Sequence, residues 1–138
     1  QCLSDFEWSY SLYPHTGDWT NGVYTEAEDL NLPLEVAQAG PHAGHLPKSM
    51  SFMELQGDHL QLAVFKQAED RDSSFIVRVF NPSNYQVDGK LVFHQPPQKA
   101  WLTNLNEERL SELQPIGNEI HFVALKKKIV TLELQLSE

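Results

Sequence analysis

The sequence predicts an all-β fold, an antiparallel β-sandwich with one short helix near the N-terminus, and three observations carry that prediction. Val130, Leu132, Leu134 and Leu136 alternate with Thr131, Glu133 and Gln135, the period of two that a half-buried strand requires. Phe75-Ile76-Val77-Arg78-Val79-Phe80 is an apolar run interrupted by one cation, the pattern of a strand covered on both faces. Short patterns of this kind recur between clusters of turn-forming residues, the spacing of a sandwich.

Taken in chain order, Phe6, Trp8, Tyr10 and Leu12 alternate and predict a first strand. Across residues 20–30, Val23, Ala27 and Leu30 fall at helical spacing behind the caps Asp18 and Thr20, with Pro33 just beyond, so a short helix is expected. Residues 38–48 are rich in Gly, Pro and His, lack periodicity, and read as a surface loop or linker. Residues 1–48 are therefore taken as the end of a preceding β-rich domain with its helix and linker, and residues 49–138 as a C-terminal β-sandwich domain.

In that second part, Gln56-Gly57-Asp58 forms a turn before a strand that sets Leu60, Leu62 and Val64 on one face. That strand and the Phe75-to-Phe80 run are both expected to be central. Asn81-Pro82-Ser83-Asn84 closes the latter. Asp88-Gly89 fits either a two-residue hairpin turn or one strand with a glycine bulge through Val87 and Leu91-Val92-Phe93, and the single strand is preferred. Ile120, Phe122 and Ala124 make a further strand, and Lys126-Lys127-Lys128 a solvated lead-in to the last. In that closing strand Val130, Leu132, Leu134 and Leu136 are expected to face the core. Thr131, Glu133 and Gln135 then face outward or toward a partner, because a buried Glu133 would have no evident counter-charge.

Composition narrows the function. Hydrophobic residues make up 41% of the 138 and charged residues 21%, an ordinary globular balance for one main core. Nineteen acidic against ten basic residues give a net charge of -9, which repels phosphate backbones and anionic lipid and so argues against nucleic acid and membranes as partners. The single cysteine, Cys2, excludes an internal disulfide framework and a four-cysteine zinc site, so a reducing cytoplasm fits best. No stretch approaches the roughly 20 apolar residues of a membrane span. The chain opens at Gln1 without methionine, already approaching a strand, and upstream sequence is expected to have been removed.

Chemistry-bearing patterns are sparse. His42 and His45 stand close enough to share a metal, but no cysteine or adjacent carboxylate supplies a third ligand, so they read as loop histidines and no metal site is expected. There is no Gly-x-Ser-x-Gly elbow and no phosphate-cradling glycine loop, and Cys2 is a poor candidate nucleophile. The carboxylates of Glu26-Ala27-Glu28-Asp29, Glu69-Asp70-Arg71-Asp72 and Glu107-Glu108 read as solvated faces and turns, so no catalytic residue is assigned. The densest polar and aromatic group is Tyr13-Pro14-His15-Thr16-Gly17-Asp18-Trp19. Tyr13, His15, Asp18 and Trp19 are the candidates for lining a sugar site, where aromatic faces stack on pyranose rings and His and Asp supply hydrogen bonds. A packed corner, with His15 bonding Asp18 and Trp19 buried, is the favoured reading of these residues by themselves.

The same stretch carries a family resemblance. Gln1-Cys2-Leu3, Phe6 through Trp19 with its Tyr-Pro-His-x-Gly-Asp-Trp block, and Asn31-Leu32-Pro33-Leu34 resemble the C-terminal portion of glycoside hydrolase family 38, the α-mannosidases of bacterial type. Leu62-Ala63-Val64-Phe65-Lys66-Gln67-Ala68-Glu69-Asp70, Ile76-Val77-Arg78-Val79-Phe80-Asn81-Pro82-Ser83 and Lys128-Ile129-Val130-Thr131-Leu132-Glu133-Leu134 resemble that family's closing β-sandwich in the same order. The resemblance implies a retaining exo-glycosidase whose zinc ion, aspartate nucleophile and acid/base carboxylate sit in an N-terminal barrel outside this chain. The family's closely spaced His-x-Asp zinc pattern does not occur here, so no catalytic or metal residue carries over. What carries over is support: a non-catalytic region whose partner is the rest of the parent enzyme, meeting the mannoside through it, with zinc in the catalytic domain and no cofactor of its own. The alternatives are a freestanding carbohydrate-binding β-sandwich, for which three tryptophans and four tyrosines would supply stacking surfaces, and a plain interaction domain.

Overall fold

A computed structural model describes residues 3–20, 22–41 and 43–136. Cys2 and His42 lie outside the described residues. The chain divides into two units, residues 1–42 and residues 43–138.

The first unit holds one helix, α1 (Val23–Asn31), none of whose residues is buried. Its N-cap is Gly22 at φ 80°, a left-handed conformation that glycine adopts without a Cβ clash, and no side chain caps it. The expected caps are used one turn earlier: Asp18 Oδ1 accepts the Thr20 N–H at 2.9 Å, closing a local turn. At the far end Leu32 N–H donates to the Glu28 carbonyl at 2.7 Å. Residues 6–12 do not form the expected strand. Alternation specifies which face a strand would bury, but a strand exists only by hydrogen bonding to a neighbour, and among the described residues none pairs with this segment.

The second unit is an antiparallel β-sandwich of eight strands: β1 (Met53–Gln56), β2 (Gln61–Gln67), β3 (Ser74–Phe80), β4 (Val87–Phe93), β5 (Lys99–Thr103), β6 (Arg109–Leu113), β7 (Glu119–Ala124) and β8 (Ile129–Gln135). One sheet has the order β1-β4-β7, the other β2-β3-β8-β5-β6, and every neighbouring pair is antiparallel. Between them Val77, Val79, Ala100, Val130, Leu132 and Leu134 of the larger sheet meet Val87, Leu91, Phe93, Ile120, Phe122 and Ala124 of the smaller in one core.

The third and eighth strands behave as their patterns require. β3 lies between β2 and β8, and β8 between β3 and β5, so both have two neighbours, and Val130, Leu132 and Leu134 enter the core. β2 departs in two ways. It is an edge strand, not a central one, and its register shifts between Leu62 and Val64. Leu62 therefore pairs with core-facing Val79 and Val64 with Arg78 on the opposite face, so Leu60, Leu62 and Val64 do not share a side. β4 is one strand, as preferred, but without a bulge: Asp88, Gly89 and Lys90 pair in unbroken register with Val123, Phe122 and His121. Gly89 is there for closeness, since a Cβ on it would stand 2.5 Å from Leu60 Cδ1 and 2.6 Å from Phe122 Cζ. The short β1 and β5 and the exposed β6 were not foreseen. The exposed Lys126-Lys127-Lys128 run forms the turn between β7 and β8, with Lys127 at φ 55° and Lys128 N–H donating to the Leu125 carbonyl at 3.2 Å.

Candidate functional site

In the first unit the polar-aromatic block forms an open surface feature. Gly17, at φ 81°, reverses the chain, and Asp18 then holds the Thr20 turn. Tyr13 and His15, two residues apart on extended backbone, point the same way and stack with ring centroids 5.8 Å apart and planes within 18°. Tyr13, Pro14, His15, Thr16 and Gly22 line a shallow recess of about 590 Å³. Trp19 is not buried as a packed corner required: it is 43% exposed and meets Tyr24 of α1 edge-on at 5.7 Å. The structure thus gathers Tyr13 and His15 in one wall, while Asp18 and Trp19 are committed to the turn and to the helix.

Stacked rings offer a flat face with polar edges. Glycoside hydrolysis needs two carboxyl groups flanking the scissile bond. Among the described residues the recess is lined by none, and the adjoining one, bounded by Ser11, Leu12, Val23 and Leu30, has only Glu26. Among the described residues no group of three or more His, Cys, Asp or Glu side chains could hold a metal ion.

The second unit contains a charged constellation that the sequence reading missed. On the face of the larger sheet turned away from the core, Glu133 of β8 is fully buried, contrary to its expected outward position. Its counter-charges come from far along the chain. Arg109 Nε and Nη2 fork onto the two carboxylate oxygens at 2.9 and 2.7 Å, and Arg71 Nε reaches Oε1 at 2.8 Å. The Arg109 guanidinium also lies 3.6 Å from the centre of the Trp101 ring. Burial, the largest influence, pushes the Glu133 carboxyl up, but donation from Arg109, Ser74 and Arg71 outweighs it and holds the group below the ordinary carboxylate value.

Beside it, buried Glu107 sits at φ 66° in the β5–β6 connection. Its carboxylate meets Lys66 Nζ at 2.7 Å and accepts the Glu69 N–H at 2.8 Å; those two donors, Lys66 first, lower its pKa. Arg71 Nη2 donates to the Glu107 carbonyl at 2.7 Å and Arg78 Nη2 to the Leu105 carbonyl at 2.7 Å. The β2–β3 and β5–β6 connections are thereby fastened over the sheet. With every Glu133 oxygen engaged by arginine, the cluster offers no free base and acts as a clamp. Only Glu133 itself, a lone charge inside an apolar strand, could have signalled it.

Residues 59–132, more than half of the chain, match the sequence profile of the family described as Glycosyl hydrolases family 38 C-terminal beta sandwich domain. Comparisons with curated proteins and with solved structures return no match. The matched span runs from the lead-in to β2 into β8, and so takes in β2 to β7 and the first four residues of β8, stopping one position short of Glu133. This chain belongs to glycosyl hydrolase family 38 and carries its C-terminal β-sandwich domain.

Proposed function

We propose that the chain is the non-catalytic C-terminal region of an α-mannosidase-like retaining glycosidase of the bacterial type, acting in the cytoplasm. It supports the zinc-dependent barrel and lends the Tyr13–His15 face to the rim of the sugar pocket. The family match over the sandwich is the observation that carries this reading. The site chemistry agrees, because the recess stacks and hydrogen-bonds but has no carboxyl pair to break a bond. In the parent, zinc would supply charge stabilisation within the barrel. The residues of this chain would orient the sugar: Tyr13 and His15 through their faces, Trp19 and Asp18 by fixing the helix and turn behind them.

The test is hydrolysis of an aryl α-mannoside. The isolated 138-residue chain should show no turnover with or without added zinc, while the full-length enzyme turns over. In that enzyme Tyr13→Ala should raise KM roughly tenfold with a smaller change in kcat, as expected for lost substrate binding. Activity that copurifies with the isolated chain would overturn the non-catalytic assignment, and an unchanged KM would remove Tyr13 from the pocket.

A further inference from the structure

The space beside Tyr13 and His15 does not end at their rings. Both side chains also line the adjoining cleft of about 280 Å³, whose other walls include Leu12 and the α1 residues Val23, Glu26, Ala27 and Leu30. The four helical residues stand at i, i+3, i+4 and i+7 and so share one face of α1. An apolar cavity of roughly 150 Å³ is enough to hold benzene, so the cleft has room for one ring-sized group against Leu12, Val23, Ala27 and Leu30.

Charge decides what kind of group that is. Glu26 occupies the one position of the helical face that is not apolar. Residues 1–42 contain seven acidic residues and no lysine or arginine. Among the described residues the one basic side chain lining the cleft is His15, and it is stacked on Tyr13. An anion entering the cleft meets Glu26 and the field of the whole unit with no lysine or arginine to receive it, whereas a neutral or cationic group meets no such repulsion.

Tyr13 and His15 form a wall common to the recess and the cleft, so a glycoside whose sugar lies on that wall carries its next group into the cleft. We propose that the cleft beside α1 is an aglycone subsite, which takes an apolar, ring-sized aglycone that is neutral or cationic and refuses an anionic one, with Glu26 setting the charge preference. The proposal rests on the reading of the Tyr13–His15 face as part of a sugar pocket, and it names the class of leaving group that the pocket accepts.

Two measurements on the full-length protein test it, the first without catalysis. Methyl NMR follows Leu12, Val23 and Leu30 as benzylamine or benzoate is added, two probes that differ in charge and little in shape. Benzylamine should shift all three residues at millimolar concentration and benzoate should not. Benzylamine that leaves them unmoved, or benzoate that moves them equally, overturns the subsite. The second measurement is the ratio of kcat/KM for para-(aminomethyl)phenyl α-mannoside to that for para-carboxyphenyl α-mannoside, compared between variants so that the leaving groups' own reactivities cancel. That ratio should fall about tenfold in Glu26→Lys, where the nearest charge changes sign, and stay unchanged in Glu28→Lys, which alters the net charge equally from another face of α1. An active enzyme whose ratio ignores Glu26→Lys sinks the charge selection and leaves the glycosidase reading. Benzylamine binding at these residues in a protein that cleaves no mannoside keeps the cationic ring site and sinks that reading.

Discussion

Glu133 stands fully buried in the middle of a strand, and its neighbours explain why that is tolerable. The carboxylate is closed off from water, but the two arginines are not: the Arg71 side chain is 32% exposed and that of Arg109 40%. The consequences of cutting the clamp are therefore unequal. Glu133→Gln leaves two cations that can turn toward solvent and should cost about 1–2 kcal/mol, whereas the double change Arg71→Met with Arg109→Met strands an anion in the sheet and should cost about 3–5 kcal/mol. Urea unfolding of the two variants checks the order, and the reverse order would mean that Glu133 is more accessible than it is here. The clamp also sets a pH dependence. Glu107 and Glu133 are both held below their ordinary value of 4.5, so in the folded state they bind protons less readily than in the unfolded chain. Their stabilisation is complete above that value and disappears as pH falls through the lower folded values. The urea midpoint should change little from pH 7 to 5 and fall toward pH 3, with a shallower fall in Glu107→Gln; a midpoint that rises on acidification contradicts the assignment.

At the scale of the element, β8 shows how far alternation can be trusted. Its leucines enter the core as the pattern dictates, and Leu132 and Leu134 are fully buried, so either change to alanine should cost about 2–5 kcal/mol. Thr131 is buried too, on the opposite face, and its loss should cost about 1 kcal/mol. If Thr131→Ala proved as damaging as Leu132→Ala in denaturation, the register would be wrong. β3, β4, β7 and β8 were legible because a face against a core imposes a period of two. β1 has four residues and β6 has none buried, so neither had a pattern to read, and the shift inside β2 reverses its faces at Val64 without marking the sequence. The opposite failure occurs at residues 6–12, where the pattern is strong and the strand is not formed. Pattern records a face to be covered; pairing needs a partner that a one-dimensional reading does not contain. The site divides in the same way. Tyr13 and His15, whose rings stack, are two positions apart in the chain, while Arg71, Glu107, Arg109 and Glu133 meet only through the order β2-β3-β8-β5-β6.

Across the whole molecule, cohesion is distributed unevenly between the two units. Among the described residues every buried hydrophobic side chain lies between Leu60 and Leu134, and α1 contributes none. The charge clamp is likewise drawn from residues 66–133. The ordinary hydrophobic and ionic sources of folding free energy thus belong to the second unit, in which two sheets bury a shared core of Val, Leu, Ile, Phe and Ala. A polypeptide of residues 43–138 should accordingly unfold in one cooperative transition, with a urea midpoint and slope close to those of the entire chain, because the slope follows the surface exposed on unfolding and little of that surface comes from residues 1–42. The complementary polypeptide of residues 1–42 should show no cooperative transition, since a short helix with no buried face is marginal in water. Circular dichroism during urea titration of the three polypeptides decides the matter. A shorter chain with a midpoint well below that of the entire chain, or with a clearly smaller slope, would show that residues 1–42 contribute to the cooperative core, and would move the boundary of the folding unit upstream of residue 43.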